Sequence, residues 1–146
     1  MGLDMYLEAK RYLWESRAED KQIAEKIAGL LGTSKRVTEI TARAAYWRKA
    51  NQVHQWFVDN VQDGEDNCAE YSVSREGLAE LVELCKTVLA NKDQAKQLLP
   101  AQSGFFFGST EYDQYYFGDL QETIDQIEAA LTEFDDSWGF YYQSSW

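Results

Sequence analysis

The chain has 146 residues, 45% of them apolar and 27% charged, and a formal net charge of −11 at pH 7. Length and composition suit one globular domain, residues 1–146, able to bury a core without disulfide or metal staples. The negative charge opposes direct binding to nucleic acid or an anionic membrane, and no stretch approaches the ~20 apolar residues of a spanning helix.

The predicted elements run as follows. Leu3, Met5 and Leu7 alternate with Asp4, Tyr6 and Glu8, which predicts a half-buried strand within 3–14. Ser16 and Glu19 have capping-box spacing, Ile23, Ile27, Leu30 and Leu31 follow at helical intervals, and Gly32 suits a stop; a helix is predicted at about 17–31. RVTEITAR, 36–43, is β-branched and reads as a strand, with a helix as the alternative. AYWRKANQVHQWFVDNV, 45–61, reads as a helix with an apolar stripe of Tyr46, Ala50, Val53, Phe57 and Val61. An acidic turn at 62–67 and a short extended piece near 70–73 lead to Ser74, which is placed to cap a helix bearing Leu78, Leu81, Val82, Cys85 and Val88.

Pro100 ends whatever precedes it, and 101–118 has neither period, so it reads as a loop. Asp119 and Glu122 are placed to cap a last helix with the stripe Leu120, Ile124, Ile127, Leu131 and Phe134. The tail alternates Trp138, Phe140 and Tyr142 with Gly139, Tyr141 and Gln143, a strand whose natural partner is the N-terminal one. The fold expected is α+β: a small antiparallel sheet, with the two terminal strands paired, packed with about four helices.

No catalytic or metal motif stands out. Cys68 and Cys85 are too few for a disulfide framework, and Cys85 falls on an apolar helix face. The single His54 belongs to no His-Glu-x-x-His or paired-Cys spacing, and the acidic clusters miss the EF-hand register, so neither metal nor cofactor is expected. No phosphate-cradling loop or nucleophile elbow is present, and the reading leans away from an enzyme.

Charge and aromatic content point instead to a surface. Residues 97–146 hold nine acids and no base, whereas 1–96 hold 16 acids and 14 bases. Such a field attracts basic partners. Five Trp, nine Tyr and seven Phe exceed what a small core needs, so some are expected at an interface. Ser109, Thr110, Glu111, Tyr112, Asp113 and Tyr115, with Asp135 and Asp136, form the candidate partner-binding set. The competing reading has Phe105, Phe106, Phe107 and Phe117 packed inward and the loop purely structural. A second candidate is a pocket for a small anion or nucleotide, sequestered or modified there, with Trp47, Arg48, Asn51 and His54 on adjacent helix turns. Its competitor is a polar helix face with His54 as a packing residue.

MGLDMYL, AYWRKANQVHQWFV and QSGFFFGSTEYDQYYF together resemble a group of small uncharacterised proteins encoded by bacteriophages and prophages, over most of the chain. The resemblance implies an accessory protein of the bacterial cytoplasm. With Asp4 and Glu8 standing where a signal peptide carries bases and an apolar run, the chain itself gives the same expectation. By analogy with small acidic phage proteins that occupy host defence machinery, the partner expected is a host protein with a basic surface, such as a CRISPR effector.

Overall fold

The computed structural model describes residues 2–146. Strand β1 (Asp4–Tyr12) is central because its alternation is strict: Leu3, Met5, Leu7 and Ala9 are buried, while Asp4, Tyr6, Glu8 and Lys10 face the other way. It pairs antiparallel with β2 (Glu39–Arg48) on one side and β4 (Gly139–Ser145) on the other. The short β3 (Tyr71–Val73) completes the sheet, in the order β2-β1-β4-β3. The fold is α+β, and the two chain ends are paired, with Asp4 opposite Ser145 and Lys10 opposite Gly139.

Helix α1 (Ala18–Leu31) sits in the connection between β1 and β2, and α2 (Asn51–Asn60) follows β2. Next come α3 (Arg75–Ala90), a 3-10 turn (Lys92–Gln94), the single-turn α4 (Ala95–Leu98) and the long α5 (Gln114–Glu133). α3 and α5 pack side by side, and α5 also lies against β2. Leu78, Leu81 and Cys85 of α3, Leu120 and Ile127 of α5, and Val53 and Phe57 of α2 meet the inward row of the sheet in one cluster. Phe57 stacks flat on Tyr142 of β4, with ring centroids 3.8 Å apart, which fixes α2 on the sheet.

Three local expectations need correction. The helix predicted at 45–61 begins at Asn51; residues 45–48 end β2, with Tyr46 opposite Tyr6 and Trp47 opposite Met5. Ring-bearing residues suit a pleated surface, and the ladder to β1 outcompetes one more helical turn. An extra residue, Ala44, is accommodated where the register shifts between Leu7 and Glu8. Lys49, with φ +58°, turns the chain from strand into helix.

Helix α5 begins five residues earlier than Asp119. Asp113 is its cap, accepting from the backbone N–H of Tyr115 at 3.0 Å and of Tyr116 at 3.2 Å. Tyr115, Tyr116 and Phe117 are therefore helical rather than loop. The Ser16 and Glu19 box does not form: Arg17 is the N-cap of α1 and supplies no side-chain hydrogen bond. Ser74 does cap α3, accepting from Gly77 N–H at 3.0 Å, and Gly32 ends α1 at φ +68°.

Candidate functional site

Helical periodicity decides where the acids of α5 go. Burying Tyr116, Leu120, Ile124, Ile127 and Ala130 leaves Glu122, Asp125, Glu128 and Glu133 on the outside. α3 buries Leu78, Leu81, Val82, Cys85 and Val88 and leaves Glu76, Glu80 and Glu83 outside. The two surfaces are continuous: Lys86 Nζ lies 2.6 Å from Glu128 and 3.3 Å from Glu83. With Asp135 and Asp136 in the turn after α5, the layer exposes nine carboxylates. Against them stand Lys86 and Arg75, the latter 3.6 Å from Asp136, so nine minus two leaves a charge of −7. Arg75 is further engaged by the carbonyls of Leu131 and Phe134 at the C-terminal end of α5, where a cation is favoured.

The three acids of α3 escape a reading based on charge by segment, because they belong to the nearly neutral first 96 residues. Only the packing of α3 on α5 adds them to the C-terminal field. The spacing of Glu76, Glu80 and Glu83 opposite the apolar stripe was the available signal.

The loop before α5 is held by one buried amide. Asn51 Nδ2 donates to the carbonyls of Phe107 and Ser109, each at 2.9 Å, and its Oδ1 accepts from Gln102 N–H at 2.9 Å. Leu3 N–H donates to Phe106 O at 3.0 Å. Phe107 and Phe117 are half-buried and pack against the core, whereas Phe106 is half-buried against Phe105, which is itself 95% exposed, so the inward-packing expectation holds for two of those four rings.

The candidate partner-binding residues divide. Thr110, Glu111 and Tyr115 are exposed, Tyr115 at 73%. Tyr112 accepts from Ala101 N–H at 3.0 Å and ties the loop together; Ser109 Oγ accepts from Glu111 N–H at 3.1 Å; Asp113 is the helix cap. Asp135 accepts from Ser137, whose hydroxyl and N–H hold that carboxyl below the usual range, and Asp136 is exposed beside Arg75. Residues 109–115 and 135–136 lie at opposite ends of α5, whose 20 residues span ~30 Å. The structure does not bring them together; the acidic row of α5 runs between them.

The second candidate set is dispersed. Trp47 and Arg48 are consecutive strand residues and point to opposite faces of the sheet. The Trp47 indole is buried and donates to Thr123 Oγ1 at 3.0 Å, whereas Arg48 is exposed, 4.0 Å from Asp4. Asn51 holds the loop. His54 is fully buried, with Nδ1 2.7 Å from the Tyr142 hydroxyl and Nε2 3.0 Å from Asp66, whose other oxygen accepts from the Trp146 indole N–H at 3.0 Å. With its proton on Nε2 the imidazole donates to Asp66 and accepts from Tyr142. The four residues expected on adjacent helix turns thus do three separate packing jobs and one surface job.

Burial shifts several ionisable groups of the fold toward their uncharged forms. The Cys85 thiol is pushed up to about 12, which removes it as a nucleophile. Burial raises the Tyr116 and Tyr142 phenols well above their ordinary range. Asp119, half-buried in α5, is pushed up to about 6 mainly by desolvation, although Gln52 donates to it at 3.1 Å.

Among the described residues, no group of three or more His, Cys, Asp or Glu is placed to hold a metal ion, and no helix is long and apolar enough to cross a membrane. No protein-family model, curated protein or solved structure matches the chain.

Proposed function

We propose that this chain is a non-catalytic, phage-type accessory protein that docks the outer surface of its α3–α5 layer on a basic surface of a host protein. One observation carries the reading: nine outward carboxylates, seven on two packed helices and two in the turn after α5, against two cations. Carboxylates spaced along helices offer a basic groove what phosphates offer it, and they steer the encounter at long range. Tyr115, seven residues before Glu122 on the same side of α5, adds an exposed ring at one end of the row. A host protein that ordinarily grips nucleic acid has the complementary surface, and a defence effector of the CRISPR kind is the partner this reading favours.

The test replaces Glu122, Asp125 and Glu133 together by Lys in the full chain. The wild-type protein captures a partner from bacterial lysate at low ionic strength, and the triple variant fails to. Raising the salt to ~0.5 M weakens capture by the wild type, because exposed charges more than a few ångströms apart are then screened. Capture that is indifferent both to the triple change and to salt sinks the reading.

A further inference from the structure

The connection between β1 and β2, residues 13–38, leaves the body of the fold. Only Asp20 and Ala24 of α1 are buried, and the segment 33–36 runs back along the helix. Between the two lies an open cleft of about 420 Å³. Sites for small molecules occupy roughly 300–1,000 Å³, so one ring system fits here and a helix does not.

The floor of the cleft is apolar and shallow in side chain: Leu13 and Ala24 are buried, and Ala28 and Gly29 follow along α1. A Cβ added at Gly29 would meet no atom within 4 Å, so the space above the helix is unfilled. Trp14, 51% exposed, offers a flat wall.

The rim is charged, and its partners can be followed one by one. Asp20 is engaged by Arg11 at 2.7 Å and by Trp14 N–H at 3.1 Å. Arg36 donates to Leu13 O at 2.6 Å and lies 4.0 Å from Glu15. Among the described residues Lys21 and Lys35 have no ion pair, and Glu25 is the one lining carboxylate without one. The lining carries three bases and three acids, but Arg11 neutralises Asp20 from outside it and Arg36 faces Glu15, so the two unpaired ammonium groups stand against the single unpaired carboxylate of Glu25.

We propose that the cleft beneath α1 binds a small amphipathic anion. The flat apolar body lies over Ala24, Ala28 and Gly29 with an edge on Trp14, and a carboxylate, sulfonate or phosphate turns toward Lys21 and Lys35. Apolar area removed from water supplies the attraction, and the ammonium groups select charge. The site is independent of the docking surface on α3 and α5.

The probe is 8-anilinonaphthalene-1-sulfonate, titrated by fluorescence into the full chain, with uncharged N-phenyl-1-naphthylamine as the comparator. Saturable binding of the sulfonate is expected. Lys21→Glu with Lys35→Glu weakens it about tenfold or more, equivalent to ~1.4 kcal/mol, and leaves the uncharged dye unchanged. Gly29→Leu fills the cleft and blocks both dyes. That change also replaces glycine by a good helix former, so the variant stays folded, as its circular dichroism melt will show. Absence of saturable sulfonate binding overturns the proposal. So does equal sulfonate affinity in folded Gly29→Leu or in the double lysine variant.

Discussion

The α3–α5 layer and the α1 arm are built from similar amphipathic helices, yet they end in opposite states. α3 buries five residues and α5 six, nearly all large or apolar. α1 buries one alanine and one aspartate, and leaves Leu30 87% and Leu31 71% exposed. The charges diverge too: the layer sums to −7, while residues 13–38 hold five bases and four acids. The contrast teaches that an apolar stripe makes a helix, but burial needs something opposite it. α3 and α5 face each other and the sheet, whereas α1 faces a returning irregular segment of its own connection.

The largest test of this difference is a pair of truncations. Leu120→Ala in α5 should lower unfolding free energy by about 2–5 kcal/mol in urea, through lost transfer and cavity terms. Leu30→Ala in α1 should change it by less than about 0.5 kcal/mol, the scale of an exposed substitution. Comparable losses at the two positions would show α1 packed as firmly as the layer.

Two aspartates give the contrast a pH dependence of opposite sign. Asp119 in the layer has its carboxyl raised from 3.8 to about 6, so the folded state holds a proton that the unfolded state gives up between those values. Its ionisation therefore costs stability as pH rises from about 4 to about 6, and the cost persists above. Asp119→Asn should stabilise the protein at pH 7 by about 1–2 kcal/mol, after discounting for the solvent the half-buried group still meets, and should flatten the slope in that window. Asp20 in the arm is lowered by its bond to Arg11, so its contribution is present above pH 3.8 and fades as pH falls through the depressed value. Asp20→Asn should lose stability at pH 7 and be indistinguishable from wild type in strong acid. Thermal melts from pH 1.5 to pH 8 would reveal the two slopes, and slopes of one sign would contradict the assignment.

The smallest effect concerns the helix starts. Ser74→Ala removes the oxygen that accepts from Gly77 N–H and should cost about 1 kcal/mol. Ser16→Ala, next to a helix whose N-cap makes no side-chain bond, should cost nothing measurable. Equal costs would mean that α1 is capped in solution by the box its sequence suggests.

The region of the candidate surface, though not its residues, was legible in the sequence. The acid-only last third marks the region, and the stripe of Leu120, Ile124 and Ile127 turns Glu122, Asp125 and Glu133 outward, although reading Glu122 as a cap and choosing 109–115 with 135–136 as the candidate set passes over that row. The aromatic loop was less readable. Ring content gives no direction, and it is the amide of Asn51, 51 residues before Gln102 and 58 before Ser109, that folds the loop down and leaves only Phe105 nearly free. The pocket expected around Trp47, Arg48, Asn51 and His54 failed on a boundary. Tyr46, Ala50 and Val53 satisfy a helical period, and pairing with Met5 and Tyr6 was needed to show that 45–48 is strand.

Sequence alone determined the alternation of β1 and β4, the stripes of α3 and α5, and the charge asymmetry. These are periodicities and sums along the chain, set by side-chain chemistry and backbone geometry within a few residues. Tertiary structure decided the rest: where β2 yields to α2, which rings are open, that the acids of α3 join those of α5, and that α1 borders an open cleft. Each of these depends on what lies across a gap from a residue, and partners 40 to 90 positions distant leave no trace in a local pattern.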